Sequence, residues 1–219
     1  MNNIHSSFRQ LLSIAGLLAL TGIAAAPATA APVIFNFTGD VDRVAPRLAA
    51  QFNTGQTMSG TMTVNPSGPI SHPGTGIYTI ETFSLNIGGY TATMGPSGQV
   101  EIRDRLNGLD RLNVTVNAPI GSTVNQLAPS IFEIQLRGPA SVFGSNALPT
   151  PTTSPSISAF SNFNQWRLVF GPGGRVVAGT VLAMTAVPLP AAVVLFGAGL
   201  VALAGLGAGS WRQRKNSIA

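Results

Sequence analysis

The chain has 219 residues, no cysteine and a formal net charge of +5 at pH 7. Without cysteine it can form no disulfide, and it can be neither a thiol enzyme nor a cysteine-ligated metal protein. Because Arg9, Arg212, Arg214 and Lys215 lie in the terminal segments, the body of the chain is close to neutral, which argues against nucleic acid as a partner.

The first 30 residues predict a signal peptide with a helical apolar stretch at 11–23. Ala28 and Ala30 form the small-x-small pattern that precedes a signal-peptidase cut. We expect cleavage after Ala30, which leaves Ala31 as the new N-terminus. A second small-residue pattern at 24–26 stays open as an alternative.

Residues 31–186 predict an exported all-β domain, because apolar and polar residues alternate with period two. Two alternating runs flank Gly88 and Gly89, and glycine supplies the positive φ that a tight hairpin turn requires. A second hairpin is predicted to join 99–103 to 111–116.

About nine or ten short strands with turns between them favour an antiparallel, jelly-roll-like β-sandwich. Pro46 predicts a loop or single turn over 43–52, and Phe160 and Phe163 are expected to pack the proline-rich segment 145–163 onto the domain. The predicted core consists of the inward-phased apolar side chains Phe35, Phe37, Met62, Phe83, Leu85, Tyr90, Val100, Val114, Phe132, Ile134, Trp166 and Leu168.

Acidic residues offer two weak candidate sites. Asp104, Asn107 and Asp110 have oxygen ligands that could bind calcium, but the run lacks the alternating acids and terminal Glu of an EF-hand. A solvated hairpin with Arg–Asp pairing is the favoured interpretation. Asp40 and Asp42 are explained equally well as charges that protect an edge strand. We therefore predict no catalytic residue, no metal and no cofactor.

Histidine and the aromatic residues give equally little sign of a site. His72 is the single histidine of the body, which argues against a histidine-centred zinc site and a Ser-His-Asp triad. Trp166 and Tyr90 are in phase with apolar strand positions, so core packing is favoured over sugar stacking. Tyr78 is predicted to be exposed.

Residues 187–219 predict a sorting signal in three parts. The first part is the motif Val187, Pro188, Leu189, Pro190 and Ala191. An uncharged apolar stretch over about 189–209 follows, and about 20 such residues cross a hydrocarbon core as one helix. The last part is the membrane stop Trp211, Arg212, Arg214 and Lys215. Short basic flanks stay cytoplasmic, so the body is expected on the outer side of the membrane.

This arrangement over 187–215 resembles a PEP-CTERM-type sorting signal in its Val-Pro-Leu-Pro-Ala variant, with 195–200 matching the Leu-Phe-Gly-x-Gly-Leu stretch of such tails. Leu189 stands where the Pro-Glu-Pro motif has Glu. The resemblance implies secretion by a Gram-negative bacterium that makes exopolysaccharide. It also implies recognition and cleavage by an exosortase, a membrane transpeptidase-like enzyme.

The sequence and the resemblance together predict a non-catalytic surface or extracellular-matrix protein associated with exopolysaccharide. We expect a single-pass intermediate with its body in the periplasm, processed by signal peptidase and exosortase and then released to the cell surface or matrix. One alternative is a carbohydrate-binding module, which an exposed aromatic or polar patch on a sheet face would favour. A less favoured alternative is a polysaccharide hydrolase, which two carboxylates facing each other in a cleft would favour.

Overall fold

The structure, a computed structural model, describes residues 31–67 and 74–187. Strand bounds are β1 Val33–Val44, β2 Thr57–Val64, β3 Thr75–Ile87, β4 Tyr90–Thr93, β5 Ser97–Leu106, β6 Leu109–Asn117, β7 Ile120–Gly121, β8 Pro129–Pro139, β9 Phe163–Phe170 and β10 Arg175–Val187. Two short 3₁₀ turns cover Pro46–Leu48 and Ile157–Ala159. The predicted signal helix and transmembrane helix lie outside the described residues. Within the described ranges, no helix has the length and apolar character needed to span a membrane.

Eight strands form a closed antiparallel barrel in the order β1, β2, β3, β5, β6, β8, β9 and β10. Each strand of this series pairs with the one that follows it in the series, and β10 pairs back with β1. The short strands β4 and β7 extend the sheet beside the end of β3. The predicted jelly-roll-like sandwich is therefore wrong, because pairing runs around the whole ring instead of dividing into two facing sheets.

The barrel closes because long, bulged strands coil. β1 shifts register against β10 between Thr38 and Gly39 and again between Val41 and Arg43. Bulges of this kind increase the local twist and bend a strand. An alternating pattern specifies one inward face and one outward face, which a sandwich and a barrel share. The pairing of β1 with β10 closes the barrel. Because it joins the two ends of the domain, it cannot be predicted from local periodicity.

The barrel interior is filled with side chains, and every residue of the predicted core is buried. Phe132 is the centre of an aromatic cluster, with its ring centroid 5.8 Å from Phe37, 5.0 Å from Phe83 and 6.5 Å from Trp166. Aromatic pairs at such distances contribute about 0.5–1.5 kcal/mol beyond burial. This cluster makes the centre of the barrel a packed core.

Trp166 is accommodated by two glycines on the closing strands. Its indole Nε1 donates a hydrogen bond to the Asp40 carbonyl at 3.0 Å. A Cβ atom on Gly39 would lie 2.9 Å from this nitrogen, and one on Gly179 would lie 3.0 Å from it. Each such Cβ would also collide with a backbone carbonyl of the neighbouring strand. Glycine is therefore required where β1 and β10 pass over the indole.

The two ends of the barrel are closed by different segments. At one end, here called the turn end, Leu48 and Phe52 are fully buried, and the Phe52 ring centroid lies 5.0 Å from that of Tyr90. The single turn predicted over 43–52 is confirmed as Pro46–Leu48. At the other end, here called the loop end, the segment 140–162 crosses the opening. Phe160 is buried there, as predicted, with its ring centroid 5.8 Å from that of Phe143.

Candidate functional site

The outer surface of the barrel has two faces of different chemistry. The neutral face is formed by outward residues of β1, β2, β3 and β4, most of which are threonine, serine or asparagine, although Asp40, Asp42 and Glu81 also lie on these strands. The charged face is formed by β5, β6, β8 and β9, where outward residues include arginine, glutamate, asparagine and glutamine. Since the interior is packed with side chains, a ligand site is more readily built on these faces.

A groove of about 590 Å³ lies on the neutral face. Eight exposed polar side chains line it, namely Asn36, Thr38, Ser59, Thr61, Ser84, Asn86, Thr91 and Thr93. No charged residue is among those that line this groove. Ligand sites in proteins commonly measure about 300–1,000 Å³, so the groove is large enough for a small molecule or a short polymer segment.

Strand register arranges these side chains in two rows. In the first row Asn36 is opposite Thr61, and Thr61 is opposite Ser84, which in turn is opposite Thr93. The Thr61 and Ser84 hydroxyls share a hydrogen bond of 2.8 Å. The second row repeats the pattern one step along the strands, in the order Thr38, Ser59, Asn86 and Thr91. Neighbouring strands lie about 4.8 Å apart, so the groove presents a regular grid of polar groups.

Gly60 contributes to the floor of the groove. A Cβ atom on Gly60 would collide with the Phe37 ring and with the Ser84 carbonyl. The backbone of β2 therefore rests directly on the core at this point. Hydroxyls both donate and accept hydrogen bonds, and carboxamides do so through separate atoms, whereas neither is a strong base at neutral pH. The groove is suited to binding polar neutral groups rather than to proton transfer.

The calcium candidates do not converge on a cation site. Asp110 is fully buried, and its carboxylate accepts hydrogen bonds from the backbone N–H of Arg105 at 2.7 Å and of Phe143 at 2.8 Å. Asn107 lies exposed in the hairpin turn, and the Asp104 carboxylate oxygen Oδ1 lies 3.6 Å from the Arg105 Nε. Among the described residues, no group of three or more His, Cys, Asp or Glu side chains could hold a metal ion. Asp110 is instead a structural link between the hairpin and the segment 140–162.

The expected Arg–Asp pairing of this hairpin is observed between Arg105 and Asp104, but the hairpin is not wholly solvated. Asp110 faces inward in phase with Leu112 and Val114. The phase of Asp110 in the sequence was a usable sign of burial. This sign conflicts with the usual position of acids at the surface, so the residue type alone predicts exposure.

The prediction that Tyr78 is exposed is wrong. Tyr78 is buried, its hydroxyl donates to the Asn146 carbonyl at 3.0 Å, and burial raises its pKa above the usual value. The cause is a bulge in which Val64 pairs with Ile80 while Thr63 pairs with Thr82. The extra residue reverses the phase of β3. Even-numbered residues face inward before the bulge, and odd-numbered residues face inward after it.

The other two candidate aromatic platforms are buried, as predicted from their phase. Trp166 has no exposed surface, and Tyr90 is 4% exposed. The Tyr90 hydroxyl donates to the Ser122 carbonyl at 3.0 Å, and burial raises the pKa of Tyr90 to about 12. Neither ring is available to stack on a sugar.

Several acids are held by neighbouring donors. Glu101 pairs with Arg103, and Glu133 pairs with Arg167. Asp42 accepts a hydrogen bond from the Thr180 hydroxyl at 2.7 Å. The Glu133–Arg167 and Asp42–Thr180 contacts join neighbouring strands, whereas Glu101 and Arg103 lie on the same strand, and exposed ion pairs contribute little to stability. They are not an arrangement of two carboxylates across a cleft.

Of the processing residues, Ala31 and Val187 lie within the described part of the chain. Val187 is the last residue of β10 and pairs with Ile34 in β1. The remaining predicted processing and stop residues, and His72, lie outside the described residues. Comparison with protein-family models, with curated proteins and with solved structures gives no match to this chain.

Proposed function

We propose that this chain is an exported surface or extracellular-matrix protein whose barrel associates with exopolysaccharide and does not act as an enzyme. The groove on the neutral face is the observation that carries the proposal. Its polar grid fits a polyhydroxylated neutral polymer, because hydroxyl and amide groups can exchange hydrogen bonds with sugar hydroxyls directly or through water.

The groove favours glycan binding over the other candidate functions. A polar patch on one sheet face is the feature expected of a carbohydrate-binding module, and no acid lines this groove. Each neutral hydrogen bond contributes about 0.5–1.5 kcal/mol net, so a single groove binds weakly. Many copies on one polymer would add avidity, since the linked sites raise each other's effective concentration. Such binding suits a matrix component.

The ends of the barrel support the sorting part of the proposal. Ile34 and Val187 are antiparallel partners, so the first and last strands of the barrel begin and end side by side at the loop end. A cut beyond Val187 removes no residue from the β1–β10 ladder. We therefore propose that an exosortase-type enzyme releases the tail near 187–191 from a membrane-attached intermediate while the barrel stays closed.

The glycan part is tested with the mature protein and the neutral polysaccharide of the producing cell. We expect retention on the immobilised polymer, and Asn36→Ala with Asn86→Ala should reduce the affinity roughly 5–100-fold for the loss of two hydrogen-bonding groups. Thr79→Ala with Gln99→Ala is the matched control, because both residues are exposed on β3 and β5 outside the groove. Equal binding by groove and control variants would show that the groove is not the site.

The sorting part is tested by mass spectrometry of the protein from its producing cell. A C-terminus near 187–191 is expected, and changing Pro188 and Pro190 to alanine should leave the tail attached. Recovery of the chain with its tail still present after secretion would contradict the proposed processing without affecting the groove.

A further inference from the structure

Three arginines form one row on the charged face. Arg103 is the direct partner of Arg111 in the β5–β6 ladder, and Arg111 is the direct partner of Arg137 in the β6–β8 ladder. Their neighbours Ile102 and Leu112 face the core, so the arginine side chains project outward. Opposed residues have Cα atoms about 4.5–5.5 Å apart, and like charges at such positions destabilise a sheet.

The protein neutralises only part of this charge. Arg103 pairs with Glu101 at 2.5 Å. Among the described residues, Arg111 and Arg137 form no ion pair, and the Nε atom of each is buried without a hydrogen-bond partner. Arg167 on the same face shows the contrasting case, since its guanidinium is paired with Glu133. The protein itself therefore leaves these two Nε–H donors without an acceptor.

The guanidinium of Arg137 is held in place. It lies over the Phe163 ring, 5.0 Å from the ring centroid. A cation–π contact fixes the plane of the guanidinium but supplies no acceptor for its N–H groups. Of the acids on the same hairpin, Glu101 is paired with Arg103, whereas Asp104 and Asp110 form no ion pair with Arg111 or Arg137. Arg111 and Arg137 remain partly exposed, so an acidic group of another molecule can approach this part of the row.

We propose that the arginine row, Arg103, Arg111 and Arg137, binds the carboxylate groups of an acidic polysaccharide. A guanidinium presents a planar fork of donors that matches a carboxylate in a bidentate pair. The adjacent row of the same face identifies the rest of the ligand. It contains Asn113, Gln135 and Gln165, which are direct cross-strand partners, and it ends at Glu101, which accepts a hydrogen bond from the Asn113 amide at 3.3 Å and pairs with Arg103. Carboxamides beside a carboxylate site match a sugar acid, whose ring carries hydroxyls next to its carboxylate.

This site is separate from the neutral groove in position and in chemistry. The groove lies on β1 to β4 and has no charged lining residue, whereas the arginine row lies on β5, β6 and β8 near the loop end. The two sites would bind different components of one extracellular matrix. A test can therefore disprove one site without affecting the other.

The probe is polygalacturonate, with its methyl ester as the neutral match, and binding to the mature protein is measured by calorimetry across a salt series. We expect polygalacturonate to bind, the ester to bind at least tenfold more weakly, and added salt to weaken the acid form. Arg111→Gln and Arg137→Gln should each reduce the affinity about tenfold or more, since each removes a charge-assisted pair.

Arg175→Gln is the matched control, because Arg175 is an exposed arginine at the turn end and its loss changes the net charge equally. Its affinity should change less than twofold. Arg111→Lys keeps the positive charge but loses the planar donor pair of the guanidinium. We therefore expect a clear loss of affinity for polygalacturonate. The melting temperature of Arg111→Gln should not fall, since the change removes a like-charge contact, and this keeps the binding result independent of folding.

Three results would overturn the proposal. Equal loss in Arg175→Gln and Arg111→Gln would show general electrostatic attraction instead of a site. Equal binding of the methyl ester would exclude carboxylate recognition. Binding of polyglutamate as tight as that of polygalacturonate would show that the row recognises acidic peptides. The groove variants Asn36→Ala and Asn86→Ala should leave polygalacturonate binding intact, which separates failure here from failure of the proposed function.

Discussion

The neutral face and the charged face are built on one barrel with the same strand periodicity, yet the polar groove of one and the arginine row of the other differ in chemistry. Asn36 and Thr61 share a row of hydroxyls and amides, whereas Arg111 and Arg137 share a row of cations. The inward neighbours of both rows are similar aliphatic and aromatic residues. The difference shows that folding constrains the inward positions, while the outward positions are free to specialise for separate ligands.

On each side of the barrel a buried polar group also links a strand to a segment at one barrel end. On the charged side Asp110 accepts from the backbone of Arg105 and of Phe143, which joins a hairpin to the segment at the loop end. On the neutral side Tyr90 donates to Ser122 near the turn end. These two anchors, together with the shared core, allow the two faces to be perturbed jointly or separately.

The largest effect is expected when the core shared by both faces is damaged. Trp166→Ala should lower the free energy of unfolding by about 3–5 kcal/mol, because it leaves a cavity at a fully buried position. The change also removes the hydrogen bond to the Asp40 carbonyl. Chemical denaturation is the measurement, and binding of both probes should be lost together as the barrel unfolds. An unchanged melting temperature with loss of polysaccharide binding alone would show that Trp166 is a sugar platform.

An intermediate effect is expected at the anchor of the charged side. Asp110→Asn should lower the free energy of unfolding by about 1–3 kcal/mol, because the amide nitrogen cannot accept from a backbone N–H and leaves a buried donor unpaired. Asp42→Asn is the control, since Asp42 is exposed and its loss should cost less than about 0.5 kcal/mol. Calcium should not raise the melting temperature of either protein, and a calcium-dependent rise lost in Asp110→Asn would restore the cation-site interpretation.

Much of the strand pattern and the core was predictable, because burial on one face produces alternation that is visible locally. Phe132 and Trp166 are in phase with their neighbours and are buried. Closure was not predictable from this signal. It depends on β1 pairing with β10, at the two ends of the domain, and the same alternation fits two stacked sheets. The predicted exposure of Tyr78 was wrong for a related reason, since one extra residue in β3 reverses the inward and outward positions of that strand.

The candidate sites were visible in part. Polar residues at alternating positions, such as Ser59 with Thr61 and Ser84 with Asn86, were present in the sequence. Their convergence into a groove depends on the register between strands, which periodicity does not give. The same holds for Arg111 and Arg137, which are 26 positions apart in the numbering yet directly opposed. Sequence supplies the side chains of a sheet site, and the register decides which of them meet.

The smallest effect concerns the anchor of the neutral side and appears only in alkali. Tyr90 has a pKa of about 12 in the folded protein against 10.0 for a free tyrosine side chain, because burial disfavours the phenolate. As the pH rises above 10 the unfolded chain loses this proton first, so the unfolded state is favoured. The contribution of Tyr90 to stability is thus complete below about pH 10 and declines as the pH approaches about 12.

Unfolding free energies measured from neutral pH into this window should show the decline, and Tyr90→Phe should reduce it. Tyr78→Phe is the comparison, since the raised pKa of Tyr78 gives a decline of the same sign at the loop end. Only Tyr90→Phe should also weaken neutral-glycan binding, because it removes one of the contacts that hold β4, which carries Thr91 and Thr93 of the groove. Phenolate absorbance that rises near pH 10 in the folded protein without loss of stability would contradict the burial of Tyr90 and its role as an anchor.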